Sequence, residues 1–478
     1  MQEIKVIART FETAEIAKKL GITEEELNAN MKESMTLMSG KAAGICYMPD
    51  NYLDEEIQNE EKAFNRANMT FKSGHHSVYD HAHITMTLKT NKMIAMILNS
   101  LGVYATSEKS ARYTKMKPET ELELELYNKW LIKIQKLILT KYPDTDDDIL
   151  STRLCKKLGI EKSKAVINGS ISHIKDDEYM EEMLNQLKTS VTLPSYKLAQ
   201  ENARYMISVF TPTTMEYTVS FRQLELIINY MNKLVINLEN ATDKFSKKLQ
   251  PCMEEFCSLL IEQFGPMEYW DHKNQYIRFL EAQNVGEMIL NNGVLKEFIT
   301  YKDLENRLEA KKTIFGDSYT TVYTGSLAMI AQAQRHRTLR YTICLQEPGE
   351  NGFYVPEIVK DADLLDEWLH DIDSVSYCVP QGTMVRITEQ GLFEDFVLKC
   401  KERLCGKAQL EVMKQSTKTM QKFIDNMDNL SYSNKKLLEA ATMCTDKGLK
   451  PCARCVFKDF QCSEGCKWGS KEALTRLI

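Results

Sequence analysis

The residues with the clearest chemical potential form one cluster, Gln332-Ala333-Gln334-Arg335-His336-Arg337, and a further cation, Arg340, follows it. The cluster ends the apolar run SLAMIAQA, which predicts a helix that stops near the Arg-His-Arg triplet. Guanidinium groups at such a position can reach outward and hold a phosphate or a carboxylate through two hydrogen bonds. The same cluster could instead be a solvated helix end whose cations face the negative end of the helix dipole.

A second motif lies far upstream, where Gly74-His75-His76-Ser77 and Asp80-His81 precede Ser110-Ala111-Arg112-Tyr113. With the triplet, it resembles the signature of the flavin-dependent thymidylate synthases: Arg-His-Arg, seven residues, then Ser-x-Arg-Tyr, all after a Gly-His…Glu-His element. This chain carries both halves of the signature in different places. The first copy has Ser100, Leu101 and Gly102 where the triplet belongs. The second has Leu345 and Glu347 where Ser and Arg belong.

The later motifs of that family divide in the same way. Arg204 and Thr218–Arg222 match them after the first signature, and Arg403 and Ala408-Gln409-Leu410-Glu411 match them after the second. With the two blocks paired 172 positions apart, Ser376, Glu394 and Met231 stand opposite Arg204, Arg222 and Arg403. We interpret this as a tandem duplication with complementary losses.

The predicted fold class is therefore α+β, with helices packed on a mostly antiparallel sheet in each of two synthase-like repeats. We place the first repeat at residues 1–265 and the second at 266–450, related by a pseudo-two-fold axis, with a cysteine-rich tail at 451–478. Because single-repeat members of the family assemble as tetramers, we expect the double-repeat chain to form a homodimer.

The resemblance implies a composite site at which each repeat supplies what the other lacks. The nucleotide-binding residues it implies are Glu108, Ser110, Arg112, Arg204, Gln332, Arg335 and Arg403. Of these, Arg335, Arg403 and Ser110 are the candidate catalytic residues. The flavin contacts it implies are His75, Ser77, Arg222, Arg335, His336 and Arg337.

The reaction implied by the resemblance is the reductive methylation of dUMP to dTMP, with FAD as cofactor and NADPH and methylenetetrahydrofolate as co-substrates. The chain departs from the family where flavin is held. Asp80 replaces a Glu, and Ser220 and Leu226 replace asparagines, as do Leu392 and Leu398 in the second copy. Two alternatives remain open. One is a related pyrimidine-nucleotide enzyme, such as a hydroxymethylase or a dCMP-acting variant, and the other is an inactive nucleotide-binding protein.

Four cysteines near the carboxyl end have metal-ligand spacing. Cys452, Cys455, Cys462 and Cys466 form C-x2-C-x6-C-x3-C, which favours a closed structural zinc site with no open position for substrate. An iron–sulfur cluster or four free thiols are the alternatives.

Bulk properties agree with a nucleotide enzyme. The chain of 478 residues is 43% hydrophobic and 27% charged, which is ordinary for a globular protein. Its net charge of −6 opposes general nucleic-acid binding, whereas a mononucleotide needs only a local basic pocket. Neither a signal peptide nor an apolar run of membrane-spanning length is evident, so we expect no membrane partner. The 13 cysteines then suggest the reducing cytoplasm.

Hydrophobic periodicity supplies the elements around these motifs. It predicts helices over 11–37 and 53–72, a strand over 82–90 and helical structure over 214–264. A second strand is predicted at Tyr319–Tyr323, before the helix that carries the triplet, and a loop at Pro348–Gly352. The segment 119–190 is predicted to be helical and carries no recognisable chemistry.

Overall fold

A computed structural model of the chain shows an α+β fold in which long helices surround small, largely antiparallel sheets. It describes residues 13–28, 31–47, 59–73, 76–110, 116–158, 178–264, 280–281, 318–337, 339–344, 347–430, 432–457, 466 and 468–478. The strands are β1 His83–Asn91, β2 Ala105–Glu108, β3 Pro212–Ser220, β4 Leu280–Glu281, β5 Ser318–Ser326, β6 Arg340–Cys344, β7 Met384–Leu392, β8 Thr442–Thr445 and β9 Gly448–Pro451. The helices are α1 Thr13–Leu20, α2 Glu24–Asn28, α3 Met31–Tyr47, α4 Glu60–Lys72, α5 Lys92–Leu98, α6 Glu121–Lys141, α7 Asp147–Leu158, α8 Glu178–Ser190, α9 Pro194–Ala203, α10 Phe221–Leu238, α11 Lys244–Phe264, α12 Leu327–Ala333, α13 Glu357–Asp361, α14 Leu365–Ser374, α15 Phe393–Arg403, α16 Leu410–Asp425, α17 Tyr432–Ala440 and α18 Gly469–Glu472.

Two sheets carry the same strand plan. The first has the order β1-β3-β2, and the second has β4-β6-β7-β5. In each, the strand that comes last in the chain lies centrally and pairs antiparallel with two earlier strands, β3 with β1 and β2, and β7 with β5 and β6. Strands β3 and β7 have nine residues each and begin 172 positions apart.

The helices that follow β1 and β5 also correspond. Strand β1 runs directly into α5 and β5 runs directly into α12, and both helices have seven residues. Asn91 and Ser326 cap them by accepting a hydrogen bond from the amide three residues on, which satisfies a backbone donor that would otherwise lack a partner. The second of these helices ends at the Arg-His-Arg triplet, so its cap fixes where the triplet begins.

The described residues up to 264 are called the first half and those from 280 onward the second half. One backbone contact between them is an antiparallel bridge. Ser208 and Pro380, themselves 172 positions apart, form an isolated antiparallel bridge. The amide after Ser208 donates to the carbonyl before Pro380 at 2.9 Å, and the amide after Pro380 donates to the carbonyl before Ser208 at 2.7 Å. These two reciprocal hydrogen bonds are the pattern of an antiparallel bridge.

One hydrophobic core covers both sheets, because buried residues of α5 and α10 belong to the same cluster as those of α12 and α15. A second cluster joins α6 to α14, where the rings of Trp130 and Trp368 meet edge to face at 4.8 Å. Within the described ranges, no helix combines the length and the apolar character needed to cross a membrane.

Several predicted elements are confirmed. They are the strand near 82–90, the strand at Tyr319–Tyr323, the helix before the triplet, the loop at Pro348–Gly352 and the helices within 119–190. Residues 11–37 were wrongly predicted as one helix, since the non-helical residues 21–23 separate α1 from α2. The helix predicted from 53 begins at Glu60 among the described residues.

The helical prediction for 214–220 is also wrong. These residues form β3, whose side chains alternate between exposed and buried positions. Strand pairing on both sides therefore overrode the apolar spacing that suggested a helix.

Candidate functional site

Glu108, at the end of β2, is a nearly buried carboxylate with several donors around it. Its side chain is 5% exposed and forms an ion pair with Lys92, whose side chain is 9% exposed. Thr213 donates to the same carboxylate at 3.2 Å, and the Asn99 amide lies 3.5 Å away. Lys92 and Thr213 stand at the end of the sheet where β1 leads into α5, so the fold itself brings these groups to Glu108.

Arg335, the first residue of the triplet, reaches this carboxylate from the other half of the chain. Its guanidinium donates to the backbone carbonyl of Glu108 and lies 3.9 Å from the side-chain carboxylate. Beside it, Gln334 donates to the Ser100 hydroxyl and Arg337 to the Tyr104 carbonyl, both at 2.5 Å. The triplet of the second half is therefore docked on the region where the first half lacks its own.

A second set of contacts converges on Gln409. Arg204 donates to the Gln409 side-chain oxygen at 2.8 Å, and the Gln409 backbone amide donates to the side-chain oxygen of Gln332 at 3.0 Å. Arg403 donates to the backbone carbonyl of Gln332 at 2.6 Å. Gln409 thus joins an arginine of the first half to the predicted nucleotide-binding residues of the second.

Glu411, two residues after Gln409, connects neighbouring parts of this arrangement. It is buried and accepts hydrogen bonds from the Ser326 amide at 2.8 Å and from the Tyr205 hydroxyl at 3.0 Å. Burial raises the pKa of Glu411, and the hydrogen bonds from Ser326 and Tyr205 and the charge of Arg204 offset this only in part. Because Ser326 caps α12, Glu411 fixes the start of the helix that presents Gln332 and Arg335.

Electrostatics link the two sets. Burial lowers the pKa of Lys92, the Glu108 carboxylate opposes that change, and the positive charges of Arg335 and Arg204 lower the pKa further. The charges of Arg335 and Arg204, one from each half, therefore both act on Lys92. The Arg204 Nε–H is buried and has no hydrogen-bond partner among the residues that the structure describes.

A cleft of about 460 Å³ adjoins the triplet. Its lining includes the rings of Tyr104 and Tyr341 and the cations Arg337 and Arg340. Asn99, also in the lining, has a buried side-chain oxygen that no described donor satisfies, and the same is true of Gln334, 235 positions on. The cleft therefore offers aromatic surface and positive charge.

The remaining predicted site residues divide into three groups. Arg112 and His75 lie outside the described residues, as does the side chain of His336. Ser110 is described just beyond β2 and is half-buried. Ser77 and Arg222 lie at the opposite end of the first sheet from Glu108, since Ser220, two residues before Arg222, pairs with the first residue of β1.

Asp80 organises that distant end. It accepts hydrogen bonds from Arg222 and from Ser220, each at 2.9 Å. Within one chain, the predicted flavin contacts Ser77 and Arg222 are therefore not brought together with Arg335 and Arg337.

The tail cysteines do not form a compact cluster among the described residues. Cys452 is buried, Cys455 is exposed, and the Cys466 sulfur accepts a hydrogen bond from the Gly469 amide at 3.2 Å. Cys462 lies outside the described residues. The described metal-ligand atoms that lie within 4.8 Å of one another belong instead to Glu119, Glu123 and Cys378, and Lys248 forms an ion pair with the first of these. The zinc site stays a prediction.

Sequence reasoning missed two residues that contact the site. Lys92 gave no motif signal, although a lysine directly after a capping Asn and before an apolar helix is a detectable oddity. Gln409 lies in the recognised Ala-Gln-x-Glu motif but was not assigned a contact, because its partners are 77 and 205 positions away.

A comparison with protein families identifies one match. The sequence model of the family described as thymidylate synthase complementing protein matches residues 26–234. The match covers the first sheet and ends within α10. No curated protein matches the chain.

Proposed function

We propose that the chain belongs to the flavin-dependent thymidylate synthase family, as the match over residues 26–234 supports, and that it catalyses the reductive methylation of dUMP to dTMP at one composite site. One observation carries the proposal. Glu108 and Arg204 of the first half meet Arg335, Gln332 and Arg403 of the second through direct hydrogen bonds and a shared glutamine. The five side chains are those that the family resemblance divides between two subunits.

The proposed duplication rests on geometry as well as motifs. The strands β3 and β7, the helices that follow them and the bridging residues Ser208 and Pro380 all keep the offset of 172 positions. The pairs β1–α5 and β5–α12 keep an offset of 235. Constant offsets on both sides of a symmetric contact favour two copies of one unit, with an interface between copies now inside the chain.

The site suits a dianionic nucleotide. Arg204 and Arg335 provide charge-assisted donors, and burial strengthens such bonds because water competes less for them. Glu108 supplies an acceptor for an N–H or O–H of the nucleotide, and Lys92 forms an ion pair with its carboxylate. The Gln332 side chain, held by the Gln409 amide, is fixed for a polar contact with the base.

The adjoining cleft fits a flavin. Two tyrosine rings could contact an aromatic ring system, and Arg337 and Arg340 could hold phosphates. When bound, a flavin would supply the redox chemistry, with NADPH as reductant and methylenetetrahydrofolate as the carbon donor. The chain's own residues would bind the nucleotide and orient the base toward that cleft. Since Ser77 and Arg222 lie far from the triplet, we propose that they reach flavin in a homodimer, through the partner chain.

A spectrum and a titration test the proposal together. The purified protein should show flavin absorbance and should bind dUMP, and it should restore growth to a thymidine auxotroph. A yellow protein without rescue would point to a related pyrimidine-nucleotide reaction such as hydroxymethylation. A colourless protein that still binds dUMP would be an inactive nucleotide-binding protein. Failure to bind dUMP at all would remove the composite site.

A further inference from the structure

The two oxygens of the Glu108 carboxylate have different surroundings. Its Oε1 pairs with the Lys92 ammonium and accepts a hydrogen bond from the Thr213 hydroxyl at 3.2 Å. Its Oε2 lies 3.5 Å from the Asn99 amide and 3.9 Å from the Arg335 guanidinium. Good hydrogen bonds between nitrogen and oxygen are roughly 2.7–3.2 Å long, so Oε1 is held firmly and Oε2 only loosely.

Lys92 is itself fixed at both its backbone and its side chain. It begins α5, and its backbone amide donates to the Thr211 carbonyl at 3.0 Å. Its ammonium donates to the Lys109 carbonyl at 3.0 Å as well as to Glu108. Because an ammonium has three N–H donors and no acceptor, it can hold a carboxylate and the carbonyl of the next residue at once. Lys92 therefore sets the position of the Glu108 carboxylate at the end of β2.

The second half carries no charge at the matching positions. With the offset of 235 residues, Lys92 and Glu108 correspond to Leu327 and Ile343, both buried. Leu327 begins α12 as Lys92 begins α5, and Glu108 and Ile343 pair with residues of β3 and β7 that are 172 positions apart. The same arrangement of elements thus forms with an apolar pair. Since a buried ion pair is often no more stabilising than apolar residues in its place, stability does not explain the charges in the first half.

We propose that Lys92 is a positioning residue that keeps Arg335 available to the nucleotide, by holding the carboxylate that would otherwise pair with Arg335. The inference deepens the proposed function and takes the identity of the ligand from it. Arg335 already donates to the backbone carbonyl of Glu108, and a movement of about 1 Å would bring its guanidinium into hydrogen-bond contact with Oε2. Without Lys92, the nearly buried carboxylate would lose its close counter-ion, which is costly.

Arg335 would then take the place of Lys92. A guanidinium that is held by a carboxylate through two hydrogen bonds cannot offer those bonds to a phosphate or a base. Direct binding of the nucleotide by Lys92 fits less well, because its side chain is 9% exposed, whereas that of Arg335 is 32% exposed. The ammonium also has two protein partners already. Lys92 therefore acts on the ligand through Glu108 and Arg335.

The availability of Arg335 can be measured on the complete protein without any nucleotide. Phenylglyoxal modifies accessible guanidinium groups that are not held by a carboxylate, and peptide mapping gives the rate at each arginine. Arg153, exposed on α7, is the reference in the same digest. We expect Lys92→Leu, which copies the second half, to slow modification of Arg335 about threefold, as a partly exposed ion pair would. Lys92→Leu/Glu108→Gln removes the competing carboxylate, so its rate should return to that of the unaltered chain.

Titration with dUMP connects this rate to binding. Lys92→Leu should weaken dUMP about tenfold, as the loss of one charged hydrogen bond does. Adding Glu108→Gln should recover part of that loss, because glutamine keeps an acceptor without the charge that holds Arg335. A purely structural role of Lys92 would give no such recovery. Lys136→Leu, at an exposed position on α6, is the matched control and should bind dUMP as the unaltered chain does.

The outcomes separate this inference from the proposed function. An unchanged rate at Arg335 in Lys92→Leu overturns it whether or not dUMP binds, and so does slow modification in both variants. If Lys92→Leu does not fold, the double variant is compared with Glu108→Gln alone, where equal rates at Arg335 support the inference and a slower rate in the double variant overturns it. Slowing in Lys92→Leu with recovery in the double variant supports it even if the unaltered chain binds no dUMP, and then the proposed function alone fails.

Discussion

Single residues decide whether the two halves form one site. Arg204 and Arg335 come from different halves and have different protein partners, Gln409 and Glu108, yet both influence Lys92. If they hold the same nucleotide, their contributions cannot be independent. Arg112, one of the predicted nucleotide-binding residues, should belong to the same group.

We expect Arg204→Ala and Arg335→Ala each to weaken dUMP binding by about 1.5–3 kcal/mol, the range for a hydrogen bond to a charged group. The double variant should lose less than the sum, because one ligand mediates both effects. Isothermal titration measures all three affinities. Arg153→Ala, an exposed arginine on α7, is the control. Strict additivity would indicate that the two arginines serve separate ligands.

The cysteine spacing in the tail predicts a bound zinc ion. If Cys452, Cys455, Cys462 and Cys466 bind zinc, metal analysis of protein purified without chelator should find about one zinc per chain. Removal of the metal, or Cys455→Ser, should lower the melting temperature while dUMP affinity stays unchanged, because the tail contributes no predicted nucleotide contact. Protein that contains neither zinc nor iron, and whose melting temperature Cys455→Ser leaves unaltered, would contradict this site.

At the scale of elements, the structure shows which contacts hold the functional helices in place. Glu411 connects the start of α16 to the cap of α12, and its burial raises its pKa above the usual value of 4.5. In the unfolded chain this carboxyl ionises near pH 4.5, whereas the folded chain retains the proton to a higher pH. The unfolded chain therefore binds fewer protons in that window, and stability falls as the pH rises through it.

Glu411→Gln should remove this contribution. Urea unfolding between pH 4.5 and 7 should show a smaller loss of stability in the variant than in the unaltered chain. Each unit by which the pKa is raised corresponds to about 1.4 kcal/mol. Glu125→Gln, on the exposed face of α6, serves as the control. The same pH dependence in the Glu411 variant would show that this carboxyl does not titrate differently in the two states.

The second sheet contains a buried ion pair at positions whose counterparts in the first sheet carry no charge. Glu389 on β7 and Lys399 on α15 pair at 2.5 Å with exposures of 0% and 3%, and Tyr323 donates to the same carboxylate. The positions 172 residues earlier are Tyr217 and Ile227. Because a buried charge left alone is costly, the pair should behave as a unit.

Lys399→Met should destabilise the chain by about 3–5 kcal/mol, since it strands the Glu389 carboxylate. Adding Glu389→Gln should recover much of that loss, and urea unfolding of both single variants and the double variant gives the coupling. If the double variant is as unstable as Lys399→Met alone, the loss comes from packing and not from charge.

What the sequence could predict follows from how local each feature is. The strand β1 and the helix before Arg335 have periodic patterns, and the site residues carry recognisable motifs. The strand β3 alternates from Thr213 to Ser220, but its continuation into the apolar helix α10 concealed that pattern. The contacts of Lys92 and Gln409 depend on which distant segments the fold pairs, which no local pattern encodes.

At the scale of the whole molecule, a fused pair should have an active and a degenerate site. Exchange of the halves places Ile343 and Ser100 where Glu108 and Arg335 stand, and Ser376 and Met231 where Arg204 and Arg403 stand. The second site therefore lacks all three of these arginines and the acidic acceptor. A ligand with two negative charges should therefore bind weakly at this second site.

We therefore expect one dUMP per chain, and two per homodimer, in contrast to one site per repeat in a tetramer of single repeats. Light scattering gives the assembly, and calorimetric titration of the same sample gives the stoichiometry. Ser100→Arg, which returns a cation to the first half, should not create a second site, because the Ser110–Arg112 counterpart would still be missing. Two equivalent sites per chain would mean that the two copies have not lost complementary motif residues. A stable tetramer of full chains would contradict the proposed homodimer.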